Sequence, residues 1–229
     1  DMLFVPEVLG AGETAISDNR STAPSTAELA RLVLDAHVGG ILTGKCGVTH
    51  FHVGEAPSML APIKALLDEP AYAIQPEWLY PTHVERYRAL VEEAARLSQR
   101  GCTVDMDTVE EDFFAWLPVY LNAGGSKERL TVSSDAAVTP PRNLFEQLRK
   151  CVLDVHMPIE QVLPFATVNS ATVLHLSRKG RLAEGNDADL LVLEKEGLEI
   201  RHVIARGVHV LKNGSMQVKE KWREKSNRQ

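Results

Sequence analysis

The sequence predicts an α/β fold, part of a (β/α) barrel followed by a small β module. Three observations support this. Five short apolar runs alternate with segments of helical periodicity, which is the order of a parallel α/β arrangement. Metal-capable side chains lie where several of these runs end, as they do at the strand ends of a barrel. After His156 the pattern changes to short strands joined by tight turns, one of them at Asn213-Gly214.

The barrel part is predicted to contain five strand–helix units. Its strands are expected at residues 13–17, 48–53, 77–82, 102–106 and 130–134, and helices at 25–38, 60–67, 84–98, 113–121 and 144–152. The first helix begins with the capping box Ser25-Thr-Ala-Glu28, and Gly39-Gly40 is expected to end it. A complete barrel needs about 250 residues, so these units make only part of one.

The β module follows with strands expected at residues 190–193, 200–204 and 208–211. We therefore predict a partial barrel over residues 1–176, a β portion over 177–219 and a solvated tail of mixed charge over 220–229.

Composition excludes several classes of partner. The net charge of −6 without a basic patch argues against nucleic acid. Apolar runs stay shorter than the roughly 18 residues of a membrane span, so no membrane partner is expected. The three cysteines form no Cys-x-x-Cys pair, which favours a reducing, cytoplasmic location.

Four side chains at strand ends are candidate metal ligands: Glu13, His52, His83 and Asp135. Imidazole and carboxylate are ligands that zinc accepts, and bound zinc lowers the pKa of its water to about 7. Asp135 could then take the proton of that water and pass it to a leaving amine. Alternatively, each histidine could be structural and Asp135 could cap a helix.

Two arginines, Arg20 and Arg86, follow two of these strands. A guanidinium binds a carboxylate through two parallel hydrogen bonds, so the pair predicts a small acidic substrate. Surface ion pairs would explain the same residues.

Several sequence words together resemble the isoaspartyl dipeptidase (β-aspartyl peptidase) family of the amidohydrolase superfamily. They are Ala15-Ile-Ser-Asp-Asn-Arg20, Val38-Gly-Gly40 with Gly44-Lys45, Phe51-His-Val-Gly54, Pro81-Thr-His-Val-Glu-Arg86 and Thr131-Val-Ser-Ser-Asp135. Near the end, the word from Lys179 to Leu193 resembles the superfamily's return to a β-sandwich.

The resemblance implies a TIM-type (β/α)8 barrel with two zinc ions that hydrolyses the isopeptide bond of β-aspartyl dipeptides. It matches His52, His83 and Asp135 to zinc ligands, with Asp135 also the general acid/base. Arg20 and Arg86 match arginines that hold substrate carboxylates, and Thr139 matches a substrate-contacting serine. The chain then corresponds to the C-terminal portion, with the fourth to eighth barrel strands.

Two departures from the family pattern matter. The bridging ligand of the family is a carbamylated lysine, and Glu13 occupies that position. The first three strands and their His-x-His are not in this sequence, so a homo-oligomer or a complementary N-terminal segment is an expected partner. Another amidohydrolase activity, D-aminoacylase-like or dihydroorotase-like, and a degenerate non-catalytic fragment remain alternatives.

Overall fold

The computed structural model describes residues 1–109, 113–136 and 142–218. Thr139 and the predicted tail over residues 220–229 lie outside these ranges. The chain divides into two compact units, Asp1–Gly180 and a second unit that begins at Arg181.

The strands of the first unit form two parallel sheets. One sheet has the order β1–β2–β3 and the other pairs β4 with β5. Their bounds are Ala11–Ile16 for β1, Thr49–Val53 for β2, Leu79–Thr82 for β3, Val104–Met106 for β4 and Leu130–Val132 for β5. The parallel pairing confirms the predicted α/β class, since antiparallel neighbours would not need the intervening helices.

Helices lie between consecutive strands of this unit and follow the last one. They are α1 Thr26–Thr43, α2 Ala61–Asp68, α3 Arg88–Gln99, α4 Phe113–Asn122, α5 Arg142–Leu153, and the short α6 Ile159–Val162 and α7 Val168–Val173. Each long connection carries an apolar face to the sheet, as parallel strands require.

Helix α1 has the predicted start but not the predicted end. The Ser25 hydroxyl accepts from the Glu28 amide, and the Glu28 carboxylate accepts from the Ser25 amide. The expected stop at Gly39-Gly40 is wrong, because the helix continues to Thr43 and Gly44 caps it at a φ of 68°. A Cβ at Gly40 would lie 2.7 Å from the Gly47 Cα, so glycine here permits close packing of the chain that follows.

Strand β2 shows why its histidines are available for chemistry. Phe51 and Val53 are fully buried, whereas His50 and His52 are only half-buried. Successive side chains of a strand point to opposite faces. The apolar residues therefore anchor β2 in the core, and both histidines share the other face.

The helix predicted over residues 84–98 begins later, at Arg88. His83 has a φ of 61° and Tyr87 is extended, with a φ of −162°, so the intervening residues form a turn. His83 therefore lies between the end of β3 and the start of α3, in neither element. The apolar side of α3 then packs in the core through Leu90, Val91, Ala94 and Leu97.

The second unit is a four-stranded antiparallel sheet of order β6–β7–β8–β9. Its strands are β6 Leu190–Leu193, β7 Ile200–Ala205, β8 Val208–Lys212 and β9 Ser215–Met216. Asn213 and Gly214 join the last two with φ values of 49° and 75°, the positive φ pair of a type I′ turn. Across the described parts of the chain, no helix combines the length and apolar composition that a membrane crossing requires.

Candidate metal centre

Three of the four predicted ligands meet along one edge of the first sheet. Glu13 lies in β1, His52 near the end of β2, and His83 directly after β3. Because β1, β2 and β3 are parallel neighbours, equivalent ends of the strands lie side by side. The ligand-capable atoms of Glu13, His52 and His83 all lie within 4.8 Å of one another.

The Glu13 carboxylate lies between the two imidazoles. His52 Nδ1 is 3.2 Å from Glu13 Oε2, and His83 Nε2 is 3.7 Å from Glu13 Oε1. Two ligands of a tetrahedral zinc ion with bonds of about 2.0 Å are separated by about 3.3 Å. The donor types and their spacing therefore fit a zinc ion, with His52 presenting Nδ1 and His83 presenting Nε2.

The other nitrogen of His83 faces a closed, acidic environment. His83 is 4% exposed, and its Nδ1 hydrogen-bonds Asp107 Oδ2. The Val109 amide donates to Asp107 Oδ1 over 2.7 Å, and a Glu85 carboxylate oxygen lies within 4.8 Å of ligand atoms of His83 and Asp107. These three residues, His83, Glu85 and Asp107, form a second group of buried metal-capable side chains.

Burial and mutual contact shift the pKa values of Glu85 and Asp107 in opposite directions. Desolvation, followed by the interaction with Asp107, raises the pKa of Glu85 well above its usual value. Burial alone would raise the pKa of Asp107, but the interactions with His83 and Glu85 outweigh it and hold this pKa below its usual range.

The other nitrogen of His52 faces an open, mostly cationic environment. Its Nε2 lies 2.7 Å from Arg20 Nη2, 3.2 Å from Asp18 Oδ2 and 3.4 Å from Arg86 Nη2. The Arg20 guanidinium also donates to both Asp18 oxygens, over 2.9 and 2.8 Å. The hydrogen bonds from Arg20 hold the pKa of Asp18 below its usual range.

The two arginines differ in how firmly they are held. Arg86 Nε donates to the Val53 carbonyl over 2.8 Å, and its side chain is 25% exposed. The Arg20 guanidinium pairs with the carboxylate of Asp18, and the Arg20 side chain is 67% exposed. Both guanidinium groups reach the same imidazole, so they place positive charge on one side of the candidate centre.

Asp135 and His50 are the two remaining metal-capable residues that the sequence indicated. Asp135 follows β5, is half-buried and has a φ of 42°; it belongs to neither metal-capable group of the described residues. His50 lies nearer, with Nδ1 3.8 Å from Glu13 Oε1, and its ring stacks on Tyr80. Burial lowers the pKa of His50, which favours the neutral ring.

Sequence reasoning missed Asp105, which links the strands that carry His83 and Asp135. Its carboxylate, on β4 and 1% exposed, accepts hydrogen bonds from the hydroxyls of Thr82, Thr131 and Ser133 over 2.6–2.7 Å. Thr82 precedes His83, and Ser133 lies two residues before Asp135. The only sequence signal was an acidic residue inside the apolar run 102–106, where a buried carboxylate needs partners.

Glu85 and Asp107 were also missed, because nothing in the sequence shows that residues so far apart meet. Their distinguishing sign is burial, which only the fold provides.

A parallel βα arrangement that gathers histidines and a carboxylate along one sheet edge is typical of barrel hydrolases. The chain belongs to the amidohydrolase family, whose model matches residues 44–215. This confirms the superfamily part of the resemblance.

Solved structures sharpen the assignment. The β-aspartyl dipeptidase of Fervidobacterium islandicum AW-1 superposes with a TM-score of 0.88 at 33% identity, over 97% of this chain and 61% of that chain. The structure of that enzyme in complex with β-Asp-Leu gives a TM-score of 0.86 at 32% identity. This chain therefore spans about three fifths of the dipeptidase, which confirms the predicted resemblance to the family's C-terminal portion.

A curated relative has a different activity. The adenine deaminase of Halalkalibacterium halodurans is 31% identical over 133 residues, which cover 56% of this chain and 22% of the deaminase. An amidohydrolase from Thermotoga maritima superposes with a TM-score of 0.56 at 19% identity and shows the shared fold alone.

Proposed function

We propose that the protein hydrolyses the isopeptide bond of β-aspartyl dipeptides at a zinc centre to which Glu13, His52 and His83 contribute. The observation that carries this proposal is the convergence of these three donors within 4.8 Å, in a chain that superposes on a β-aspartyl dipeptidase over nearly its whole length.

Zinc held there would polarise the peptide carbonyl and lower the pKa of a water molecule to about 7. Glu13 has two carboxylate oxygens, so it could ligate two ions without carbamylation of a lysine. Two zinc ions in the complete site are what the resemblance implies, and we retain that number in the proposal.

Asp135 is assigned the proton transfer. A carboxylate near the sheet edge can take the proton of the attacking water and return it to the leaving amine. Ser133, fixed by Asp105, holds the chain two residues before Asp135 and so restricts where its side chain can reach.

Arg20 and Arg86 are assigned the substrate carboxylates. Both guanidinium groups lie beside His52, on the face of the centre away from Asp107. A β-aspartyl dipeptide carries two carboxylates, one on each residue, so a pair of arginines matches its charge. Thr139 is a further substrate contact by resemblance.

Two remaining expectations belong to this proposal. We place the enzyme in the cytoplasm, supported by three buried, free cysteines. We also retain a second copy or a complementary N-terminal segment as the partner that completes the barrel.

The test is zinc content and hydrolysis of β-Asp-Leu by the full chain, supplied with its complementary segment where one exists. The Asp135→Asn variant should lose about 10²–10⁴-fold in kcat, because the general acid/base, which is also a predicted zinc ligand, is gone. Asp35→Asn, an exposed aspartate paired with Arg31, is the matched control and should keep full activity. Zinc-loaded protein without turnover, or an active Asp135→Asn variant, would contradict the assignment.

Adenine is the second substrate to test, because of the adenine deaminase relative. Adenine is uncharged, so Arg20 and Arg86 would have no carboxylate to bind. We therefore expect release of leucine from β-Asp-Leu and no ammonia from adenine; the opposite outcome would replace the dipeptidase proposal with deamination.

A further inference from the structure

His83 can ligate a metal through Nε2 only if that nitrogen carries a lone pair. A neutral imidazole has one hydrogen, on either Nδ1 or Nε2. A free imidazole exchanges between the Nδ1–H and Nε2–H tautomers. In the Nε2–H tautomer, the nitrogen that faces Glu13 has no lone pair for a metal. Something must therefore select the tautomer.

Asp107 has the geometry to make that selection. Its Oδ2 lies against His83 Nδ1, and its Oδ1 accepts from the Val109 amide over 2.7 Å. A carboxylate without a proton can only accept hydrogen bonds, so the facing Nδ1 must donate. Asp107 is 5% exposed, which keeps water from replacing it as acceptor.

The main chain helps to hold Asp107 in that position. The Val109 amide and the His83 ring contact different oxygens of its carboxylate. Two hydrogen bonds to one buried side chain leave it little rotational freedom. Glu85, which is 7% exposed, lies in the same buried group, but its Oε2 has no hydrogen-bond partner.

We propose that Asp107, held by the Val109 amide, is a positioning residue that fixes His83 as the Nδ1–H tautomer and so keeps its Nε2 lone pair directed at Glu13. This inference rests on the proposed metal centre for its functional meaning, but the tautomer itself is a property of the metal-free protein. Carboxylates that orient a ligating histidine typically strengthen metal binding 10–100-fold.

The alternative for these residues is a purely structural role, in which the buried pair stabilises the fold and the tautomer is set elsewhere. The two readings differ in a spectroscopic signature. Long-range ¹H–¹⁵N correlation of ¹⁵N-histidine-labelled protein distinguishes Nδ1–H from Nε2–H, and His83→Gln identifies the signals of this ring.

The experiment uses the metal-free full chain at about pH 8, above the ordinary histidine range. Wild-type His83 should be the Nδ1–H tautomer. Asp107→Ala should shift it toward Nε2–H or a mixture. Asp35→Asn, at an exposed carboxylate paired with Arg31, is the control and should leave His83 unchanged.

Zinc affinity, measured by competition with a chromophoric chelator, gives a second readout. Asp107→Ala should lower it about 10–100-fold, and the exposed Asp35→Asn should change it less than about 3-fold. Wild-type His83 found as Nε2–H overturns the proposal without any variant, as does an Asp107→Ala protein that keeps Nδ1–H. If the tautomer behaves as expected but β-Asp-Leu is not hydrolysed, the dipeptidase assignment fails and the positioning role stands.

Discussion

His83 and His52 both face the Glu13 carboxylate, but the surroundings of the two rings differ in charge and in exposure to solvent. His83 is closed in by Asp107 and Glu85, and it is nearly inaccessible to solvent. His52 is half-buried and is flanked by Arg20 and Arg86. The acidic, closed side is suited to hold a cation, and the cationic, open side is suited to receive an anionic ligand. In the proposed function, metal binding and substrate recognition would therefore lie on different sides of Glu13.

Glu13 belongs to both sides, so its loss should have the largest effect. Glu13→Gln leaves one neutral oxygen in place of a carboxylate, and we expect zinc affinity to fall by about 100-fold or more. Chelator competition measures this, with the exposed Glu7→Gln as control. Undiminished affinity in Glu13→Gln would mean that the metal is held elsewhere.

Arginine substitutions should affect only the open side. Arg86→Met should raise the KM for β-Asp-Leu by about 100-fold, because a charged hydrogen bond of roughly 2–3 kcal/mol is lost. Arg20→Met should have a smaller effect, since this exposed side chain is less firmly held.

Zinc affinity should fall far less in both variants than in Glu13→Gln, since neither arginine is a ligand. The exposed Arg31→Met is the control for removing a guanidinium. A parallel loss of zinc and substrate affinity would show that the two sides are not separable.

The two histidines should also differ in their contribution to stability. His83→Ala leaves the buried Asp107 without its imidazole donor and should lower the free energy of unfolding of the metal-free protein by about 2 kcal/mol or more. His52→Ala, at a half-buried position, should lower it by less than about 1 kcal/mol. Urea unfolding measures both; equal destabilisation would remove the distinction between closed and open sides.

Removing a hydroxyl group should give the smallest difference in stability between the two sides. Thr82→Val removes a hydrogen bond to the buried Asp105 beside His83 and should lower stability by about 1 kcal/mol. Ser58→Ala, on the open side, removes an exposed hydrogen bond to Ser17 and should change stability by less than about 0.5 kcal/mol. A larger loss for Ser58→Ala in thermal unfolding would reverse the assignment of which side is structural.

The sequence was sufficient for the parts of the site that depend on local pattern. Alternation in β2 predicts that His52 shares a face with His50, and the strand–helix order predicts that Glu13 and His83 lie at the same sheet edge. These inferences need only the period of a strand and the rule that parallel strands align.

The sequence was insufficient for contacts between residues that are far apart in the chain. The Asp107–His83 and Asp105–Thr82 contacts join separate strands, and an acidic residue in an apolar run does not indicate which residue it contacts. Gly39-Gly40 misled for a related reason: glycine is a common helix stop, but here it serves close packing against Gly47. The metal-binding, catalytic and substrate-binding roles of all the candidate residues, Asp135 and Thr139 included, stay predictions.

Strand β2 places core residues and ligands in strict alternation, and this limits how the chain can change in length. Deleting a single residue within the strand would rotate Phe51 or Val53 toward the reaction centre and turn an imidazole into the apolar interior. Such a frame slip would damage folding and chemistry together. Natural variants should therefore tolerate insertions in the loops that flank β2 far better than any odd-numbered length change inside it.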